Sequence, residues 1–320
     1  MSQKGTRMYI INNFNCWFTN VGEAFIDLGL KNIVDNIAKK NPEIKFGALS
    51  SMSNFYIGNV TDMNSPARNN IFNLREYYRP DVFVMTGMCL TEEMSTKENP
   101  YATRQNALGI KQLGGEIALI GVGGYKYDKN EREHVLRVLD KIKPIVMITR
   151  DSKTYNMYKD YFDCKKGLDC AFWVKDSFDP TGMNTNEYIV SSFNRTDEPE
   201  DIACMDNLIH PWHMQYSLSS KKTRYLSKKN LMVSDSPYEY LTLYANAKKV
   251  YTDLVHATIP SLVYGTPVKY YQVDNRRDAF ESLTYINYDS DGFMTLDQNK
   301  LHNQKKEIEN YIELVLKKYI

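Results

Sequence analysis

Short apolar runs alternate with helical patterns along the first half of the chain. Four runs have the length and composition of buried strands: RMYIINN, DVFVMTGMCL, EIALIGVGGY and PIVMITRDS. Between them, segments such as NVGEAFIDLGLKNIVDNIAKK place apolar side chains at helical spacing. Strands that alternate with helices pair in parallel, because each helix returns the chain to the end of the sheet where the last strand began. The first half therefore predicts a doubly wound parallel sheet.

The second half repeats this alternation after a polar stretch, SFDPTGMNTNEY, whose composition is typical of a linker. Strands are predicted for EYIVSSFNR, LMVSD, KKVYTD and PVKYYQV. Helices are predicted for DIACMDNLIH, SPYEYLTLYANA, HATIPSLVYG and the terminal NQKKEIENYIELVLKKY. Because 320 residues exceed what one hydrophobic core usually supports, we expect two Rossmann-like α/β domains, residues 1–181 and 182–320, with a C-terminal helix.

Net charge, hydropathy and cysteine spacing argue against several classes of protein. A formal net charge of +1 disfavours a nucleic-acid binder, whose phosphate-contacting face shows as a basic excess. The chain lacks the ~20-residue apolar run of a membrane helix and the apolar core of a secretion signal. Its five cysteines lack C-x-x-C spacing, which favours reduced thiols over disulfides or zinc. We expect a cytoplasmic protein without a metal or a transmembrane segment, whereas peripheral membrane contact and oligomeric state stay open.

His256 lies between a predicted strand and a predicted helix, in the segment VYTDLVHATIPSLVYGTPV. Ligands of doubly wound sheets bind beyond the carboxyl ends of the strands, where loops lead into helices. A first-turn position brings an imidazole close to unpaired backbone amides, which attract anions. His256 is therefore either a phosphate or carboxylate contact, a general acid, or a hydrogen-bonded histidine of the core.

Two arginines also follow predicted strands. Arg195 ends the first strand of the second half, where a guanidinium can clamp a phosphate or carboxylate, or simply lie on the surface. Arg150 ends the fourth strand, and the adjacent Asp151 offers it a structural ion pair. His210 and His213 lack a third ligand in the sequence, so we predict no metal site there.

Two glycine-containing segments are further candidates. GVGGY, with Gly123 and Gly124, permits close approach of a ligand but matches neither the dinucleotide-binding nor the P-loop motif. NVGEAF begins a predicted helix with an acidic first turn, which helix capping alone would also explain. Both segments stay open between a structural and a binding role.

Taken together and in this order, several segments resemble the polysaccharide pyruvyl transferase family. They are NVGEAFIDLGL, DVFVMTGMCL, EIALIGVGG, ITRDSKTYNMYKDYF, DCAF, YIVSSFNR and, most specifically, YLTLYANAKKVYTDLVHATIPSLVYGTPVKYY. The resemblance reaches from the start of the chain to Tyr271. It implies a GT-B-type architecture, and transfer of an enolpyruvyl-derived group from phosphoenolpyruvate to a sugar of a polysaccharide or glycan precursor, forming a pyruvate ketal. Phosphoenolpyruvate is then a co-substrate, and no cofactor is expected.

The resemblance also implies roles for individual residues. His256 matches the family's histidine and is predicted to be a general acid or donor contact, with Glu23 as the base. The C-terminal domain would bind the donor through Arg195, His256, Ala257 and Thr258, with Arg150 of the N-terminal domain as a further donor contact. The N-terminal domain would face the sugar acceptor with Asn20, Gly22, Glu23, Gly123, Gly124 and Tyr125.

Leu254 departs from the family pattern, which typically has an arginine two residues before the histidine. A charge-assisted bond worth about 1.5–3 kcal/mol is then missing from the donor pocket, and Arg150, Arg276 or Lys269 would have to supply the charge. Two other functions therefore stay open. A GT-B glycosyltransferase would hold the ribose of a nucleotide sugar with Glu239, and a non-catalytic member would bind glycans or proteins through some of its 24 tyrosines.

Overall fold

The computed structural model describes most of the chain, in two compact units. The described residues are 8–14, 20–50, 81–87, 90–95, 103–183, 187–213, 227–272, 278–281 and 283–319. Unit 1 comprises Met1–Asn15, Ile33–Asp169 and Lys306–Ile320, and unit 2 comprises Cys16–Asn32 and Cys170–Lys305. The predicted division into residues 1–181 and 182–320 stays a prediction.

Unit 1 contains a six-stranded sheet in the order β2-β1-β3-β4-β5-β6. All of its neighbouring strands are parallel, which confirms the prediction from the sequence. Its strands are β1 (Met8–Phe14), β2 (Ile44–Ser50), β3 (Val82–Gly87), β4 (Glu116–Val122), β5 (Val146–Thr149) and β6 (Cys164–Lys166). Its helices are α2 (Thr103–Gln112), α3 (Lys129–Ile142) and α4 (Ser152–Tyr158), and helix α1 (Val21–Lys40) contributes residues to both units.

Unit 2 contains a seven-stranded sheet in the order β12-β13-β11-β10-β7-β8-β9. Its strands are β7 (Ile189–Ser192), β8 (Leu208–Pro211), β9 (Leu231–Met232), β10 (Lys249–Thr252), β11 (Val268–Tyr270), β12 (Ile286–Tyr288) and β13 (Met294–Leu296). The five strands from β11 to β9 in this order are parallel, whereas β12 and β13 pair antiparallel. The sheet is therefore doubly wound, with an antiparallel edge that the sequence does not predict.

The helices of unit 2 include the two that lead into and out of β10. They are α5 (Val174–Ser177), α6 (Glu200–Ala203), α7 (Pro237–Asn246), α8 (Val255–Tyr264) and α9 (Asp278–Glu281). The terminal helix α10 (Gln298–Leu316) contributes residues to both units. Helix α7 begins at Pro237 after the cap residue Ser236, as the sequence predicts. Among the described residues, no helix combines the length and apolarity that crossing a membrane requires.

The segment DIACMDNLIH is a correction to the sequence analysis. Its pattern predicts one helix, but only α6 is helical and β8 begins at Leu208. Asn207 separates the two elements with a φ of 56°, a left-handed conformation in which a helix cannot continue. β8 then donates and accepts in the sheet beside β7, and this pairing overrides the local helical pattern.

Candidate functional site

The strand order of the unit 2 sheet reverses between β7 and β10. From β7 the chain proceeds to β8 and β9 on one side, and it then returns to β10 and β11 on the other side. β7 and β10 are parallel neighbours, with Ser192 opposite Thr252 at their carboxyl ends. Such a reversal opens a crevice beyond the strand ends, where ligands of this class of fold bind. Arg195 and His256, which follow these two strands, therefore lie at the switch point.

His256 is the second residue of helix α8 and is half-buried. The eight residues from Ala257 to Tyr264 that follow it in the helix are all buried. Leu254 is the helix cap, and its carbonyl oxygen accepts from the amides of Ala257 and Thr258 at 3.1 and 3.0 Å. The Thr258 hydroxyl donates to the same oxygen at 2.9 Å. The amides and the hydroxyl predicted to bind the donor are thus engaged within the helix.

The first turn of α1 packs against His256 within unit 2. A Cβ atom added at Gly22 would overlap the Nδ1, Cγ and Cβ atoms of His256, so only glycine leaves room for the imidazole ring. In the same turn, the Asn20 side-chain amide donates to the Glu23 carboxylate at 3.1 Å, and the Glu23 amide donates to the Asn20 carbonyl at 3.0 Å. The structure therefore places the NVGE residues, which are predicted to bind the sugar acceptor, next to His256, which is predicted to contact the phosphoenolpyruvate donor.

His213 is a buried histidine beside helix α1. The sequence analysis considered it only as a metal ligand. Its carbonyl oxygen accepts from the Val21 amide at 3.3 Å, and its ring meets the edge of Phe25 with centroids 6.2 Å apart. Its Nε2 hydrogen-bonds the hydroxyl of Tyr244. Burial, followed by the charge of His256, lowers the pKa of His213 to about 3. His213 is therefore a neutral group that holds the start of α1 in place near His256.

Arg195 lies in a turn that one buried carboxylate organises. Its side chain is half-buried, and its amide donates to Asp253, the residue that follows β10. Burial raises the pKa of Asp253, and the amides of Thr196, Arg195 and Asn194 act against this shift. Sequence reasoning did not single out Asp253, although its position directly after β10, between Thr252 and Leu254, is the same signal that selected His256.

The GVGGY segment is built around three charged side chains of unit 1. A Cβ atom at Gly123 would lie 2.8 Å from Asp151 Oδ2 and would meet Arg150 Nε, and one at Gly124 would lie 2.8 Å from Glu131 Oε1. The Glu131 carboxylate accepts from the amides of the residues that follow: Tyr125, Lys126 and Tyr127. The space that the two glycines leave open is therefore occupied by charged side chains of the protein itself.

Arg150 is buried in unit 1 and forms an ion pair with Asp169. The Nη1–Oδ2 distance is 3.0 Å, and the two side chains are 6% and 3% exposed. Tyr125, in contrast, exposes half of its surface. Arg150, Gly123, Gly124 and Tyr125 belong to unit 1, whereas the other predicted site residues belong to unit 2. Their predicted roles in binding stay predictions.

The remaining candidates are dispersed. Glu239 is exposed in the first turn of α7, and the Lys269 ammonium lies 6.0 Å from the centre of the Phe293 ring. Arg276 lies outside the described residues. Within the described part of the chain, no group of three or more His, Cys, Asp or Glu side chains is arranged to hold a metal ion.

Glu198 anchors a second polar cluster of unit 2. Its carboxylate accepts from Ser191 Oγ, Lys228 Nζ and, at 3.0 Å, His210 Nε2. Although burial raises the pKa of Glu198, the bonds from His210, Lys228 and Ser191 lower it to about 2. The second histidine considered for a metal site is thus bonded to a carboxylate instead.

Replacing Glu198 with glutamine is expected to lower the free energy of unfolding by about 1.5–3 kcal/mol, the worth of hydrogen bonds to a charged group. A folded-state pKa below the ordinary value of 4.5 contributes stability above pH 4.5 that is lost as the pH falls toward 2. Urea unfolding at a series of pH values should therefore show a smaller acid-induced loss in the variant. Glu200→Gln, at an exposed residue nearby, is the control, and equal pH dependence in both variants would contradict the assignment.

Comparison with known proteins identifies a family. The family model described as Polysaccharide pyruvyl transferase matches residues 20–271, which is most of the chain and includes the predicted site residues from Asn20 to Thr258. No curated protein matches the sequence. The segments NVGE and TDLVHATIPSLVYG, which meet at Gly22 and His256, both lie within the matched range.

Three solved structures share the fold. The S. aureus MnaA–UDP complex has a TM-score of 0.55 at 12% identity, over 94% of this chain and 87% of that one. A putative UDP-N-acetylglucosamine 2-epimerase from Listeria monocytogenes has 0.54 at 9%, over 86% and 82%. The UDP-GlcNAc 2-epimerase from Neisseria meningitidis, bound to UDP-GlcNAc, has 0.52 at 13%, over 96% and 93%. At these identities the similarity concerns the fold alone, and it confirms the predicted GT-B-type α/β architecture.

Proposed function

The chain belongs to the polysaccharide pyruvyl transferase family, and on that premise we propose that it forms a pyruvate ketal on a sugar of a polysaccharide or glycan precursor. The donor is phosphoenolpyruvate, which serves as co-substrate, and no cofactor takes part. The site must bind a phosphate and a carboxylate, protonate C3 of the enol, and stabilise the phosphate as it leaves. The site therefore needs positively charged groups that bind the donor, a general acid and a general base.

The observation that carries the proposal is the position of His256. It lies at the start of α8, at the switch point of the unit 2 sheet, and against Gly22 of α1. Two helix N-termini therefore meet at one imidazole, and the helix dipole places partial positive charge at each of them. Phosphate and carboxylate groups bind at such helix ends. Arg195, which follows the neighbouring strand β7, adds a guanidinium suited to the same anions.

In the proposed reaction, His256 donates a proton to C3 of the enol, and C2 becomes electrophilic. A first sugar hydroxyl attacks C2 and gives its proton to Glu23, which follows Gly22 in the first turn of α1. A second hydroxyl then displaces the phosphate from C2 and closes the ketal. The proton of this hydroxyl restores the protonated form of His256, and the departing phosphate takes up the proton held by Glu23, so that both side chains return to their starting states. Arg195 and the partial positive charge at the N-terminus of α8 stabilise the charge of the leaving phosphate.

The departure at position 254 fits a donor pocket with fewer cations. Leu254 is 5% exposed and caps α8 with its backbone, so its side chain serves packing. Of the cations considered as replacements, Arg150 is paired with Asp169 and the Lys269 ammonium lies near Phe293. Arg195 and the helix N-termini therefore supply the positive charge that binds the donor.

Thermal and urea unfolding in the presence of phosphoenolpyruvate tests the proposal. A ligand that binds only the folded state at about 100 times its Kd adds about 2.7 kcal/mol to the free energy of unfolding. We expect this stabilisation in the wild type and its loss in His256→Ala and in Arg195→Ala. His302→Ala and Arg137→Ala, at exposed positions of α10 and α3, are the matched controls and should keep it.

The alternative functions give other outcomes in the same assay. Stabilisation by a nucleotide sugar but not by phosphoenolpyruvate would overturn the proposal in favour of a glycosyltransferase. No response to either ligand would favour a non-catalytic member that binds glycans or proteins. Acceptor-dependent release of phosphate from phosphoenolpyruvate would then establish the reaction itself.

A further inference from the structure

Three consecutive backbone amides after β7 converge on the carboxylate of Asp253. The Asn194 amide donates to Oδ1 at 3.1 Å, and the amides of Arg195 and Thr196 donate to Oδ2 at 2.9 and 2.7 Å. The Thr196 hydroxyl donates to Oδ2 as well, at 3.0 Å. Successive amides that point to one centre form an anion-binding nest. Here the protein's own carboxylate occupies the nest, so this turn can contribute to a ligand only through side chains.

Asp253 also belongs to the segment that sets the start of α8. It is 1% exposed, its amide donates to the Ser192 carbonyl at 3.3 Å, and the next residue, Leu254, is the helix cap. The carboxylate thus joins the carboxyl end of β7 to that of β10. Because β7 and β10 border the switch point, the backbone beneath Arg195 and the backbone that leads to His256 share one buried anchor.

The turn is tied to α1 by the side chain of Asn194. Asn194 Oδ1 accepts from the His213 amide at 2.8 Å, and its Nδ2 donates to the Pro211 carbonyl at 3.1 Å. The carbonyl of His213 in turn accepts from Val21, the residue before Gly22. A turn held at both ends in this way has little freedom to shift, which is the condition for a preorganised binding group.

We propose that Asp253 is a positioning residue that fixes the turn of residues 194–196 and thereby preorganises the Arg195 guanidinium for the donor anion. This inference rests on the proposed function, because the donor is the ligand that Arg195 is assigned to bind. Asp253 itself does not touch the donor, since its carboxylate is occupied by the turn. The Asp253 amide keeps its bond to the Ser192 carbonyl when the carboxylate is replaced, so the loss of the carboxylate should act on affinity through Arg195.

The test combines Asp253→Asn with Arg195→Ala in the full chain. Asparagine keeps the size of the side chain but replaces one accepting oxygen with a donor, so it cannot accept from all three amides. We expect Asp253→Asn to weaken phosphoenolpyruvate binding about 10- to 100-fold, and to cause a change of less than about 2-fold when Arg195 is already alanine. A purely structural role would give the same fold-change in both backgrounds and would overturn the proposal.

A gentler variant keeps the test decisive if Asp253→Asn does not fold. Thr196→Val removes only the hydroxyl bond to Asp253 and leaves the three amide bonds in place. It should weaken phosphoenolpyruvate binding about 2- to 10-fold, again only when Arg195 is present. Equal losses with and without Arg195 would overturn the proposal.

Hydrogen exchange of the unliganded protein separates failure of this inference from failure of the proposed function. The amides of Arg195 and Thr196 should be protected in the wild type and exchange faster in the Asp253 or Thr196 variant. Unchanged exchange would overturn the role of Asp253 even if phosphoenolpyruvate binds. If exchange responds as expected but the wild type does not bind phosphoenolpyruvate, the proposed function fails, and with it the assignment of the donor as the ligand of Arg195.

Discussion

The Gly22→Ala variant is expected to lose most of its stabilisation by phosphoenolpyruvate, although it adds a single methyl group to a helix. The added Cβ would overlap the imidazole of His256, so the ring or the start of α1 must move. A displacement of about 1 Å at a reacting group can cost about 100-fold. At a phosphoenolpyruvate concentration 100 times the wild-type Kd, the stabilisation should fall from about 2.7 to about 0.4 kcal/mol. Unfolding with and without ligand measures this directly.

The same substitution should destabilise the unliganded protein by about 1–3 kcal/mol, as overpacking of a well-packed site does. Alanine is the better helix former by about 0.5–1 kcal/mol, so a loss of stability would point to the contact and not to helix propensity. In the double variant Gly22→Ala, His256→Gly, no ring remains to collide with the methyl group. The double variant should therefore lose less free energy of unfolding than the two single variants lose in sum. Additive effects, or full ligand stabilisation in Gly22→Ala, would contradict the contact.

The parallel sheets could be predicted from sequence because their strands are buried runs separated by helical patterns. The segments around β4, β5, β7 and β10 carry this signal strongly and are strands in the structure. β8 could not be predicted, because the pattern of DIACMDNLIH fits a helix until pairing with β7 decides otherwise. Strands β12 and β13, at the antiparallel end of the unit 2 sheet, are three residues each and lie in a polar part of the chain, so no apolar run marks them.

The candidate site could be predicted only as separate pieces. The position of His256 at a strand exit follows from local pattern, but its contact with Gly22 joins residues far apart in the chain and has no local signature. The grouping of Gly22 with Gly123 as acceptor residues rests on the family resemblance, and the structure assigns the two to different compact units. Asp253 lies at the same kind of strand exit as His256, but its carboxylate binds amides of residues 194–196, far away in the chain, and His213 accepts from the equally distant Val21, so neither role has a local signature.

Asp169→Asn is expected to destabilise unit 1 by about 3–5 kcal/mol, the cost of breaking a buried ion pair from one side. Burial lowers the pKa of Arg150, but the carboxylates of Asp169 and Asp151 more than offset this, so the guanidinium stays charged. Asp151 cannot replace Asp169 fully, because it caps α4 by accepting from the Thr154 amide at 2.6 Å. Removing the Asp169 charge therefore leaves the buried Arg150 guanidinium with one of its two neighbouring carboxylates, that of Asp151. Urea unfolding of the wild type and the variant measures the loss.

Two comparisons make this prediction specific to a buried charge. Glu133→Gln, which breaks the exposed pair with Lys129, should cost less than about 1 kcal/mol. Arg150→Met combined with Asp169→Leu removes both charges and should recover most of the stability, because apolar groups of similar volume replace buried pairs well. If the double variant also keeps its stabilisation by phosphoenolpyruvate, Arg150 serves the fold of unit 1 and not the donor. If Asp169→Asn alone costs under about 1 kcal/mol, the guanidinium is not held as the structure shows.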